Sequence, residues 1–228
     1  MTVINDKRNG KWIWTADWTK EDSKLPRLVW FYTEIRSKSA KEEMPDAIRI
    51  TADCRYKLYI NGKLLQYGPA KGDHEVHYLD TAEIGRFLTS DINTLAVAVL
   101  HYPEDPGVGN HSMFSSDIPG LYIEGPDTIL AEENSALSNW ESFVDRTVSF
   151  PREEVRFAPL QIHEIRKRSG EERILKPVIV RREEEMPAYL HRENMADRPI
   201  PQMLLKEHAL GLQPRNAKTA ECTGLNKF

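Results

Sequence analysis

The sequence predicts an all-β protein built as a sandwich of two facing sheets, and three observations carry that prediction. An Asn61-Gly62 dipeptide separates two strand-like runs. Short runs rich in Val, Ile and aromatic residues recur between turn residues at spacings of roughly 8–12 residues. Stretches with the 3.6-residue period of an amphipathic helix are few.

The bend is the strongest of the three. Tyr56, Leu58 and Ile60 alternate with Lys57 and Tyr59, the period-2 pattern of a half-buried strand. A two-residue type I′ turn needs positive φ at both central residues, and Asn-Gly meets that demand at least steric cost. Leu64 and Leu65 then open a return strand that Gly68-Pro69 closes. A hairpin alone is marginally stable, so its apolar face requires a second sheet.

The other elements follow in order. Lys11–Trp18 places Trp12, Trp14 and Trp18 at one parity, hence on one face of an extended segment. Such rings serve either as a platform for the apolar face of a sugar or as a plug for the end of a sandwich core, and large aromatics more often plug. Arg27–Arg36 reads as a strand from its β-branched and aromatic content. Ser37 to Pro45 is a polar loop. Asp46–Asp53 alternates Ile48, Ile50 and Ala52 inward with Arg49 and Thr51 outward. Ala70 to His77 is a polar connection, and Asp80 is a fair N-cap for a short helical turn within Tyr78–Leu88. Asn93–Tyr102 is the most apolar run, and its Val content favours an interior strand. Pro119–Gly125, Thr128–Ala131, parts of Trp140–Phe150 and Glu154–Arg166 supply further strands. Lys176–Pro187 holds one short strand and a charge cluster, and no period continues beyond it. The organisation expected is an N-terminal arm over 1–10, a β-sandwich over 11–176, and an extended linker and tail over 177–228.

Composition narrows the function classes. The chain has 228 residues, 40 % hydrophobic and 29 % charged, and a net charge of −4, which leaves no basic footprint for nucleic acid. No run reaches the roughly 18 apolar residues of a spanning helix, and no signal-peptide core opens the chain. Cys54 and Cys222 are far apart and form no disulfide framework, so a reducing, cytoplasmic setting is expected.

The order of motifs resembles the N-terminal region of bacterial alpha-L-rhamnosidases. The residues that carry it are Lys11-Trp-Ile-Trp14, Ile48 through Lys63 with its Asn-Gly bend, Gly68-Pro69, Tyr78-Leu-Asp-Thr81, Asn93 through Val99 and Pro119-Gly-Leu121. The resemblance covers about residues 11–165. Members of that family are inverting glycoside hydrolases assembled from β-sandwich domains and a catalytic (α/α)6 barrel. It implies a jelly-roll sandwich of the galactose-binding-like kind, truncated before the barrel, with Arg182–Pro187 as the linker leaving it. The acid and base carboxylates of the family have no counterpart here, so none is carried over.

The residues themselves support no complete catalytic site. Inverting hydrolysis needs an acid and a base about 6.5–9.5 Å apart across the bond. Asp17, Asp53, Asp73, Asp80, Glu124 and Asp145 are too numerous for any pair to stand out. His74-Glu-Val-His77 is one residue short of the zinc-protease His-Glu-x-x-His pattern and reads as exposed loop histidines. Cys54 reads as an inert thiol within a strand. The glycine-containing loop Pro103–Asn110 lacks the Lys-Ser/Thr of a phosphate cradle. Sugar contact, if made, falls to loop and strand-end residues: Trp14, Asp53, Arg55, Asp73 and His111.

The expected function is a non-catalytic accessory sandwich of a rhamnosidase-like hydrolase, inactive alone and without cofactor or metal. Its partners would be the catalytic barrel and neighbouring domains, with a rhamnose-containing oligosaccharide as a further ligand and no nucleic acid or membrane. The alternatives are a free-standing carbohydrate-binding module and a protein-interaction sandwich.

Overall fold

A computed structural model describes residues 9–36, 46–70, 72–73, 75–89, 92–103, 118–132, 134, 138–149, 165–166 and 174–202. The described residues form strands joined by turns and short 3-10 segments, with no α-helix among them. The strands are β1 (Lys11–Thr15), β2 (Arg27–Arg36), β3 (Ala47–Asp53), β4 (Arg55–Ile60), β5 (Lys63–Gly68), β6 (His77–Glu83), β7 (Ile92–His101), β8 (Gly120–Glu124), β9 (Trp140–Val144), β10 (Val148–Ser149), β11 (Ile165–Arg166), β12 (Lys176–Arg181) and β13 (Met195–Asp197). Eleven of them share one hydrogen-bonded sheet in the order β13-β6-β3-β8-β1-β12-β9-β2-β7-β4-β5, while β10 and β11 pair separately.

That sheet folds over on itself at β12. Residues 178–181 of β12 pair with β1, and residues 176–177 pair with β9. The first layer is therefore β13-β6-β3-β8-β1 and the second β9-β2-β7-β4-β5, and the apolar faces of both meet. Ile48, Ile50, Leu121 and Ile123 from the first layer join Val29, Phe31, Leu58, Leu95 and Val97 from the second in one buried cluster. Fully burying one such side chain stabilises by about 1.5–3 kcal/mol. The all-β sandwich expected from the sequence is the architecture observed.

The hairpin forms as its residues dictate. Asn61 and Gly62 take φ of 49° and 76°, and β4 pairs antiparallel with β5. Leu58 faces Gln66 while Tyr59 faces Leu64, so Leu65 is the extra residue of a bulge. Asn61 secures the tip through its side chain, donating to Asn93 Oδ1 at 2.9 Å and accepting from the Thr94 amide at 2.9 Å.

Four expectations need correction. The stretch around Asp80 is strand, not helical turn; the 3-10 turn comes later, at Gly85–Phe87. Asp80 cannot cap because it lies mid-strand, opposite Ile50, and is buried. Thr128–Ala131 holds no strand. Cys54 sits at the bend between β3 and β4, where its thiol donates to the Tyr102 carbonyl at 3.2 Å and accepts from the Tyr102 amide at 3.1 Å. Finally, the run after 177 is extended but stays on the sandwich as far as it is described. Met186, Leu190 and Met195 bury against Trp12, Leu79 and Tyr122 on the outer face of the first layer, and β13 pairs parallel with β6. Trp12 Nε1 donates to the Leu190 carbonyl at 3.1 Å. Apolar burial and strand pairing explain why this charge-rich segment does not stand free.

Candidate functional site

The residues singled out for sugar contact gather at one end of the sandwich. Asp53 ends β3 and Arg55 begins β4; Asp73 lies between β5 and β6; Trp14 is near the end of β1. Strand register places these ends together: Asp53 faces Gly120 at the start of β8, and Arg55 faces Leu100 near the end of β7. His111 lies in the β7–β8 connection, outside the described residues.

Their environments differ. Trp14 is wholly buried, packed on Phe31 at 5.5 Å and edge-on to Trp18 at 5.1 Å, so it plugs the core and offers no face to a sugar. Trp18 is the half-buried ring of this group, held by its Nε1 donating to Ser23 Oγ at 2.9 Å. Asp53 is fully buried. Arg55 is half-buried, and that burial lowers its guanidinium pKa. Asp73 is exposed, but its Oδ1 accepts from the amides of Glu75 and Val76 at 2.8 and 2.9 Å, closing its own turn. His101, beside Trp14 and Trp18, is kept neutral: burial pushes its pKa to about 4.

His77 is not the exposed loop histidine its neighbours suggested. It begins β6, is buried, and its Nε2 lies 2.8 Å from Thr51 Oγ1; burial pushes its pKa to about 4. Its partner Thr51 is distant in sequence, which is why the local pattern did not reveal it. No group of three or more His, Cys, Asp or Glu side chains suited to a metal ion occurs among the described residues.

Most of the carboxylates weighed for chemistry are committed to cations or turns. Asp17 accepts from Arg146 at 2.7 Å and Lys176 at 2.9 Å, and these partners hold its pKa down. Glu124 accepts from Arg49 at 2.8 Å and from the Tyr122 hydroxyl at 2.9 Å. Asp145 Oδ1 accepts from Thr147 Oγ1 at 2.6 Å.

Asp80 stood in the sequence only as one carboxylate among many and as an N-cap; its place between the layers was not legible there. It points between the layers, where Tyr56 OH donates to its Oδ2 at 2.5 Å and Gln66 Nε2 donates to that hydroxyl at 2.7 Å. Arg198 Nη1 donates to Oδ1 at 3.0 Å. Burial raises the Asp80 pKa, while the hydrogen bonds from Tyr56 and Arg198 pull it back. The Tyr56 hydroxyl is pushed well up by burial and by the adjacent carboxylate. Gly68 makes room for this chain: a Cβ there would lie 1.9 Å from Asp80 Oδ2 and 2.4 Å from the Tyr56 ring.

Among solved structures, a GH78 family rhamnosidase of Bacillus sp. GL1 is 31 % identical over 60 % of this chain and 13 % of its own, with a TM-score of 0.45. The chain is similar to part of an alpha-L-rhamnosidase. The alpha-L-rhamnosidase of Aspergillus terreus is 17 % identical over 62 % of this chain and 17 % of its own, with a TM-score of 0.46. A lectin of Pleurotus ostreatus, solved in complex with GalNAc, is 16 % identical over 75 % of this chain and 42 % of its own, with a TM-score of 0.41. The chain thus spans about a sixth or less of these rhamnosidases. No protein-family model and no curated protein matches it. The fold described above rests on strand order and register, independently of these superpositions.

Proposed function

We propose that the chain is a non-catalytic accessory β-sandwich of an alpha-L-rhamnosidase-like glycoside hydrolase, and that it braces the catalytic domain. The observation that carries this reading is how the segment after β12 is fastened. Its three short 3-10 turns, Glu183–Glu185, Ala188–Leu190 and Arg192–Asn194, have little structure of their own. They are nevertheless pinned by Met186, Leu190 and Met195, by β13, and by the Arg198–Asp80 ion pair. A connection held this firmly fixes whatever it adjoins, which a flexible tether would not. The motif order that resembles rhamnosidase N-terminal regions supports the same reading.

The purified chain should therefore release no rhamnose from an aryl rhamnoside, and should raise the melting temperature of a rhamnosidase catalytic barrel when the two are mixed. Measurable hydrolysis by the chain alone, or a barrel indifferent to its presence, would count against the proposal.

A second role in sugar contact has one favourable observation: Trp18, Arg55 and Asp73 share an end of the sandwich with part of their surface accessible. Calorimetry against rhamnose, galactose and plant oligosaccharides tests it, and silence across the set removes it.

A further inference from the structure

We propose that residues 195–202 form a strap closing the open flank of the sandwich, and that Arg198 latches the strap by neutralising Asp80. The proposal stands whether or not the chain braces a catalytic domain.

The two flanks of the sandwich are built differently. On one, β12 carries backbone pairing from layer to layer. On the other, β6 with β13 ends the first layer and β5 ends the second, and no ladder joins them. The described polar contacts across this gap are made by side chains. Tyr56 reaches from the second layer to Asp80 in the first, backed by Gln66 Nε2 donating to its hydroxyl. The strap crosses the same gap: Arg198 binds Asp80 on β6, and Gln202 Nε2 donates to the Tyr67 carbonyl on β5 at 2.7 Å. The strap's backbone adds β13 and the Arg198 amide donating to the Leu79 carbonyl at 3.1 Å.

Electrostatics make Arg198 the decisive member. Asp80 is 1 % exposed and the Arg198 side chain 12 %. Removing one partner of a buried pair leaves an uncompensated charge, which costs far more than the intact pair contributes. Tyr56 and the Ala70 amide supply hydrogen bonds to Asp80 but no charge. Arg49 and Glu124 pair with each other and with Asp197 and Tyr122, so they are spoken for. An apolar peg such as Met195 would hold the strap regardless of the charge on Asp80; a latch would not.

Hydrogen exchange of the amides of residues 195–197, referred to those of Val97 and Val99 in β7, reads the strap separately from the core. His77 is the partner of Met195 in the β6–β13 ladder and is itself neutral through burial, so each variant is compared with the unmodified chain at the same pH. In Arg198→Met, strap protection should fall about a hundredfold near pH 7.5. Most of it should return at about pH 5.5, where a carboxyl deprived of its cation takes up a proton and needs no partner. Asp80→Asn added to Arg198→Met should restore protection near neutral pH for the same reason. Arg198→Lys should keep most of it. Unchanged protection in Arg198→Met, or a loss equal at both pH values and in the double variant, overturns the proposal.

Discussion

The flank sealed by β12 and the flank sealed by Asp80 solve one problem by different means. A backbone ladder is indifferent to pH and tolerant of side-chain change. A buried acid with one cation depends on both. The contrast teaches that a sandwich can close one side by topology and leave the other to a few side chains.

Substitutions on the two flanks should therefore fail in different ways. Trp140→Ala, in β9 next to β12, removes a wholly buried ring whose Nε1 donates to the Ile129 carbonyl at 2.7 Å. It should cost about 3–5 kcal/mol and lower the urea midpoint by every probe together. Acidification should come next. His77 and His101 are neutral in the fold, with pKa values pushed from 6.5 to about 4, so their contribution is present above 6.5 and is lost as pH falls towards 4. Each accounts for roughly 3 kcal/mol over that window, and replacing His77 with Gln should flatten the stability–pH slope measured by denaturant titration.

Tyr56→Phe should cost about 1–3 kcal/mol by withdrawing the donor to Asp80. The hydroxyl favours the charged form of that acid, so the loss should be larger at neutral pH than in acid. Gly68→Ala should cost about 1–3 kcal/mol by pushing a methyl into Asp80 and Tyr56. Glu34→Ala, which breaks an exposed pair with Arg36, should change the midpoint by less than about 1 kcal/mol and mark the floor of the series.

What could be read in the sequence was whatever local sterics and alternation decide. Asn61-Gly62 demanded its turn because few other pairs accept positive φ twice. Ile92–His101 followed from a run too apolar and too branched for a surface. Asp80 was misread because an acid before a polar residue looks the same at an N-cap and in a buried strand. Its partners Tyr56 and Arg198 are 24 and 118 residues away. Trp14 shared its parity with Trp12, yet the two enter different apolar clusters. Met186, Leu190 and Met195 follow neither period, because successive 3-10 turns aim them one at a time. Of the proposed contact residues, the shared end of the sandwich was legible from strand boundaries, whereas the burial of Trp14 and Asp53 depends on packing from distant strands.

The position of β12 has a bearing on how the molecule comes to be made. It is the penultimate strand of the large sheet, yet it lies between the first strand, β1, and β9. Until a growing polypeptide has emerged as far as Arg181, one edge of β1 and one edge of β9 remain without a neighbour. Nascent chains stopped short of that point would carry two bare edges ready to join other molecules, which makes this late hexapeptide the gate between productive folding and aggregation.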